Sequence, residues 1–170
     1  EQTFSKDEND LGLTHLVEHE IDTAGARPIK QPPRRIPMAF IGEDRDAIQK
    51  LIRQGSVRPS KSPWASPICL VRKKDGTVRP CVDYRKVNAV TKKDAFPLPK
   101  TQDCLDAVAG ATLFSTMDIT SAYNQIPIKV EDIPKTAFVT RSGLYEYTTM
   151  VFRLTNCPAT FQLLMEIAIS

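Results

Sequence analysis

The 170 residues are enough for one ordinary domain with a real core. An apolar content of 41% excludes wholesale disorder, and no apolar run approaches the roughly 20 residues of a membrane span. The net charge of +3 hides a split, because residues 1–26 carry seven acids and one base while residues 50–100 carry thirteen bases and three acids. The basic middle points to a polyanionic partner; a solvated lysine-rich surface is the plainer alternative.

The opening EQTFSKDEND has no initiator Met, no basic n-region and no apolar h-region. A signal peptide is therefore not expected, and the missing Met suggests a piece of a longer product. Without a sequon or a membrane span, the expected setting is intracellular, cytoplasmic or nuclear. Cys69, Cys81, Cys104 and Cys157 form no C-x-x-C pair. They are expected to be mostly buried thiols, with neither zinc nor a disulfide framework.

In chain order, residues 1–26 read as an acidic polar lead-in. Residues 27–37, RPIKQPPRRIP, read as an extended arm, because their prolines fix φ and remove backbone donors. Residues 43–54 put Ala47, Ile48, Leu51 and Ile52 at helical spacing, with Gly55 as the stop. After a second proline-rich stretch, ICLVRKK and TVRPCVDY read as a hairpin turning at Asp75–Gly76, with Pro80 at an edge or bulge. Residues 100–109 read as a short helix with Leu105 and Val108 inward and Gly110 ending it. TLFSTMDI, NQIPIKV, KTAFVTR and YEYTTMVF read as strands, the last two joined at Ser142–Gly143. Asn156 reads as an N-cap, followed by Pro158 in the first turn of a helix that runs to Ser170. That helix is apolar nearly all round, which predicts burial in a larger body.

Two features carry chemistry. Asp118 follows an apolar run and precedes small residues and then Tyr123. A carboxylate in that setting suits a magnesium ligand for phosphoryl transfer, and it equally suits a turn cap. Two-metal catalysis needs more than one carboxylate. Arg72, Lys73, Lys74 and Arg79 flank the hairpin turn and can converge on one anion, a triphosphate or a nucleic-acid backbone; a solvated hairpin tip is the alternative.

The stretches SPWASPICLVRKKDGTVRPCVDYRKVNAVT, FPLPK, FSTMDITSAYNQIPI, KTAFVTRSGLYEYTTM and FRLTNCPATFQLLM stand in order along the chain. Together they closely resemble the reverse transcriptase of gypsy-type LTR retrotransposons, from about Leu13 to Met165. The resemblance implies an α+β polymerase fold of fingers and palm, truncated within the palm. It divides the chain into fingers at 27–98 and 125–156, and palm at 99–124 and 157–170.

The resemblance also implies roles. Asp118 matches the first catalytic aspartate, a ligand to two Mg²⁺ ions, and the carbonyl of Ile119 completes one metal's sphere. Ser121 and Ala122 match positions whose amides face the triphosphate. Tyr123 matches the gate that crowds the sugar 2′ position. Lys73 and Arg79 match residues gripping the triphosphate, and Phe152 a residue under the sugar and base of the nucleotide. Pro63, Trp64, Lys74 and Arg85 match a surface for template or other nucleic acid. The implied partners are an RNA or DNA template-primer, dNTP, and the remainder of a Pol polyprotein with ribonuclease H, integrase and protease.

The sequence departs from the family pattern in two places. The Tyr/Phe-x-Asp-Asp turn that completes the metal site is absent, and Asp83 is expected to pair with a base such as Arg85 rather than replace it. In MVFRLTNCPATF, Val151, Arg153 and Cys157 stand where the family has Pro, Gly and Ala. If the glycine marks a positive φ, Arg153 carries backbone strain of roughly 1–2 kcal/mol. Such changes fit relaxed selection. The expectation is a polymerase fragment inactive on its own; the alternative is a non-catalytic nucleic-acid-binding remnant.

Overall fold

The computed structural model describes residues 12–35, 41–72, 78–116 and 118–169. The first helix, α1 (Ile41–Arg53), buries Ile48 and half-buries Leu51 and Ile52, the stripe its spacing predicts. It stops where expected. Gly55 takes φ 74°, its N–H donates to the Ile52 carbonyl at 3.0 Å, and the Ser56 N–H donates to the Leu51 carbonyl at 3.1 Å. These paired bonds form a Schellman cap, which needs the left-handed residue that glycine supplies without a Cβ penalty.

Five strands follow: β1 (Val57–Pro59), β2 (Ser66–Arg72), β3 (Val78–Val82), β4 (Phe138–Val139) and β5 (Leu144–Tyr147). They form one sheet in the order β1-β5-β4-β2-β3, with β2 and β4 parallel and the other pairs antiparallel. Segments about 70 residues apart in sequence thus share a single sheet. The hairpin β2–β3 forms, with Arg72 opposite Val78 rather than opposite Arg79 as a two-residue turn at Asp75–Gly76 would set it; the turn itself lies outside the described residues.

Pro80 sits on the edge strand opposite Leu70. The Asp83 N–H donates to the Pro67 carbonyl at 2.9 Å, which fixes the alternation of the antiparallel ladder. Counting along it, Leu70–Pro80 is a non-hydrogen-bonded pair, so the missing proline N–H costs the ladder nothing.

The core lies against this sheet, with Trp64, Ile68, Tyr84, Phe138 and Met150 buried. The buried Tyr84 hydroxyl donates to the Thr136 carbonyl at 2.8 Å, which satisfies its polar end. The half of the polar lead-in that is described also enters the interior, since His19, Ile21 and Thr23 are all buried. It runs as a strap along residues 125–132. The His19 N–H donates to the Pro127 carbonyl at 2.8 Å, and the Ile21 N–H to Asp132 Oδ2 at 2.8 Å.

Three expectations need correction. The helix α3 (Thr101–Ala107) forms, but Leu105 and Val108 are 58% and 46% exposed rather than inward. The described residues of 112–119 form no strand, and Leu113 and Phe114 are exposed; a strand needs a neighbouring ladder, and this segment has none among the described residues. NQIPIKV forms isolated bridges at Pro127 and Ile128 after a 3₁₀ turn, because Pro127 interrupts regular donation.

Between these segments, α2 (Arg85–Val90) buries Val87. The last helix, α4 (Cys157–Ile169), forms as expected, but only one side is covered: Cys157, Ala159 and Leu164 are buried, while Ile167 and Ile169 are exposed. No helix among the described residues is long and apolar enough to cross a membrane.

Candidate active site

Asp118 stands exposed on an irregular segment, with the Ile119 backbone beside it. Three residues on, the chain turns sharply. Ser121 adopts φ 48° and ψ 43°, left-handed for a residue with a side chain, and opens a 3₁₀ turn over Ala122–Gln125. A left-handed residue followed by a right-handed one points successive N–H groups into a concavity, a geometry that favours anions. The turn is held from both ends: the Asn124 N–H donates to the Ser121 carbonyl at 2.8 Å, and Gln125 Nε2 donates to the Thr120 carbonyl at 2.8 Å.

The half-buried Tyr123 ring stands on this turn. Its centroid lies 4.7 Å from that of Phe152 and 5.6 Å from that of Phe161. Residues 29 positions apart that were both assigned to the nucleotide are thus in ring contact. Burial pushes the Tyr123 phenol above its ordinary range. Phe161, on α4, was not singled out from the sequence, although it belongs to the PATF stretch. Phe152 is 55% exposed, so its ring presents a free apolar surface.

The turn after Phe152 is strained at two places. Arg153 takes φ 76° and Asn156 φ 73°. The positive φ expected at Arg153 is therefore present, and the residue is exposed. The Asn88 side chain clasps the turn, with Nδ2 donating to the Arg153 carbonyl at 2.7 Å and Oδ1 accepting from the Thr155 N–H at 2.9 Å. Asn156 holds the N-cap position, since its carbonyl accepts the Thr160 N–H at 2.9 Å. Its side chain, however, bonds the Lys92 carbonyl and the Asp94 N–H, so the cap expected of it is a clasp on a neighbouring segment.

The expected nucleic-acid surface is only partly a surface. Pro63 is exposed and lines a cavity of about 550 Å³ with Pro32, Pro33 and Leu144. Trp64 is 6% exposed and packed in the core, which corrects its assignment: an indole buried there fills space and offers no face to a strand. Arg85 is exposed and bonded to Asp83, as expected, with Nε to Oδ1 at 2.8 Å and Nη2 to Oδ2 at 2.7 Å. The Arg85 guanidinium holds the Asp83 carboxyl well below the usual carboxylate range. Lys73 and Lys74 lie outside the described residues. Arg79 is on β3 opposite Val71, with its backbone alone described.

A magnesium pair needs several oxygen donors around one point. Among the described residues no three His, Cys, Asp or Glu side chains converge, and Asp118 is the only carboxylate of the turn. This donor set does not fit two ions.

The mixed five-stranded sheet, with Asp118 ahead of the left-handed turn and the aromatic stack behind it, belongs to a fold of the polymerase kind. Residues 71–170 match the reverse transcriptase (RNA-dependent DNA polymerase) family, and the chain belongs to it. It is 39% identical over 161 residues to the Pol polyprotein from transposon opus of Drosophila melanogaster, covering 92% of this chain and 16% of that protein. It is 35% identical over 166 residues to that from transposon 297 of the same organism, again covering 16% of the relative. Among solved structures, the prototype foamy virus protease-reverse transcriptase superposes with a TM-score of 0.84 at 26% identity, over 95% of this chain and 22% of the viral one. The chain thus spans about a sixth of the length of these curated relatives.

Proposed function

We propose that this chain supplies the fingers and the first palm segments of an RNA-directed DNA polymerase that extends a primer with dNTPs on an RNA or DNA template. In this reading the fingers are residues 27–98 and 125–156, and the palm is residues 99–124 and 157–170. The shared sheet supports uniting the two fingers segments, because β1, β2 and β3 come from one and β4 and β5 from the other.

The observation that carries the proposal is the Tyr123–Phe152 contact at the left-handed Ser121 turn, with Ser121 three and Tyr123 five residues after Asp118. Phe152 offers a floor for a sugar and base, Tyr123 a wall against a 2′-hydroxyl, and the Ser121 and Ala122 amides a cradle for phosphate. Lys73 and Arg79 would neutralise the triphosphate from the hairpin. Asp118 and the Ile119 carbonyl would contribute to one side of a metal site that needs further carboxylates. The relatives are Pol polyproteins, which supports other parts of such a polyprotein as the remaining partners, here proposed to be ribonuclease H, integrase and protease.

Because one carboxylate does not hold two ions, the 170-residue chain alone is expected to bind template-primer without extending it. Primer extension with a labelled primer, dNTPs and Mg²⁺ tests this. Measurable extension overturns the inactivity. Binding that ignores ionic strength overturns the nucleic-acid reading. The strained Arg153 turn favours one second reading, a nucleic-acid-binding remnant without chemistry. Supplying in trans the palm segment of a relative that carries the Tyr/Phe-x-Asp-Asp turn separates the two, since only a polymerase fragment gains extension.

A further inference from the structure

Asp83 is more than a partner for Arg85. A second arginine, Arg34, reaches it from the proline arm, and its Nη2 donates to the same Oδ2 that accepts from Arg85. Arg34 Nη1 also lies 3.2 Å from Cys69 Sγ. The Asp83 side chain is 9% exposed, whereas the Arg34 and Arg85 side chains are 46% and 81% exposed. One buried acid thus holds two arginines whose outer edges face solvent, and the cluster carries a net positive charge.

The arrangement exceeds what a structural staple needs. One guanidinium suffices to neutralise Asp83, and Arg34 alone ties the arm to the sheet. Arg85 comes from the adjoining chain and adds no long-range link. A guanidinium has about five N–H donors. Each arginine spends two on the contacts described, so about three remain on each. Two forks fixed side by side match the oxygens of a phosphate, which accept such donors in pairs. Arg35 and Lys86, next to them in sequence, are also exposed and add positive charge.

We infer that Arg34 and Arg85, fixed on Asp83, form a clamp for a backbone phosphate of a nucleic-acid strand, with Asp83 as the positioning residue. The inference rests on the nucleic-acid reading proposed above and adds Arg34 and Asp83 to it. It gives Asp83 an anion-orienting task in place of a metal-binding one.

The test measures binding of a fluorescein-labelled single-stranded oligonucleotide by anisotropy across a salt series. Arg34→Gln is expected to weaken binding about fivefold or more at low salt and to lower the slope of log affinity against log salt by about 0.7, the loss of one phosphate contact. Asp83→Asn is the sharper variant. It makes the chain more positive, so charge alone predicts tighter binding, whereas loss of the positioned forks predicts weaker binding. A thermal melt of each variant accompanies the titrations, and Arg34→Gln decides by itself if Asp83→Asn does not fold. Wild-type affinity in Arg34→Gln, or tighter binding by a folded Asp83→Asn, overturns the clamp while leaving nucleic-acid binding intact. A wild-type chain that binds no oligonucleotide overturns the clamp and the parent reading together.

Discussion

Replacing His19 by Gln should flatten the acid side of the stability profile. His19 is wholly buried, with Nδ1 2.9 Å from Thr160 Oγ1 and Nε2 3.9 Å from Cys157 Sγ. Burial lowers its pKa from 6.5 to about 4, against the opposing pull of Asp132 and Glu20. The sign follows from linkage. As pH falls below 6.5 the unfolded chain takes up a proton at this site, and the folded chain does not until about pH 4. Stability is therefore lost through that window and levels off below it. With about 1.4 kcal/mol per pH unit, the loss relative to neutral pH is about 2 kcal/mol at pH 5 and about 3 kcal/mol at pH 4. Urea unfolding followed by circular dichroism at pH 8, 6, 5 and 4 measures it. His19→Gln starts less stable at pH 8, because it loses packing and the Thr160 bond, and the two curves should converge on acidification. Carboxylates common to both proteins cancel in the difference. Parallel curves between pH 7 and pH 4 would refute the buried neutral imidazole.

Arg153→Gly should raise stability by up to about 1 kcal/mol and Arg153→Ala should not, because only glycine relieves a φ of 76°; equal urea midpoints for the two variants would contradict this. Gly55→Ala should cost about 1 kcal/mol at the left-handed cap of α1, read in the same assay. Burial pushes the Cys157 thiol up to about 12, so a thiol reagent at pH 8 should label exposed Cys104 at once and Cys157 only on unfolding. Cys69 and Cys81 stand directly opposite on β2 and β3 in a hydrogen-bonded pair. Such pairs have Cα atoms about 5.5 Å apart, within the roughly 4.4–6.8 Å a disulfide spans. Diamide should therefore join these two thiols, seen as a mass lower by two hydrogens in the linked peptides, and a linkage to Cys104 instead would contradict the register.

Local chemistry was legible where one or two residues decide the outcome. Gly55 stops α1, Pro80 sits at an edge, and Pro158 opens α4, each because a single backbone constraint leaves little choice. Partners distant in sequence were not legible. His19 lies in a polar, acidic stretch that reads as solvated, and its burial depends on Thr160 and Cys157, about 140 residues away. Trp64 sits between prolines that suggest an exposed loop, yet the Ser62 hydroxyl accepts its backbone N–H at 3.0 Å and its ring is buried in the core. At the site, Asp118 and Tyr123 came from one short motif. Their relation to Phe152 was visible only through resemblance, and Phe161 and Asn88 carried no signal by themselves.

The strained turn at 152–156 links this packing to the site. Two residues with side chains hold left-handed backbone there, at a cost of about 1 kcal/mol or more each. Such strain persists only where surrounding bonds over-determine it. Here Asn88 supplies two of those bonds and the Asn156 side chain two more, reaching residues 92 and 94. Residue 92 is tied in turn to the strap, with Lys92 Nζ 2.7 Å from Asp22 Oδ2 and the Lys92 N–H donating to the Asp22 carbonyl at 2.8 Å. The chain of contacts runs from the buried strap through the 92–94 segment to the turn that sets Phe152 against Tyr123. Loosening it at Asn88 should therefore free the Phe152 ring without touching Tyr123. An Asn88→Ala chain that keeps the native Tyr123–Phe152 stacking, read as unchanged aromatic ring shifts in NMR, would show that the stack itself holds the turn.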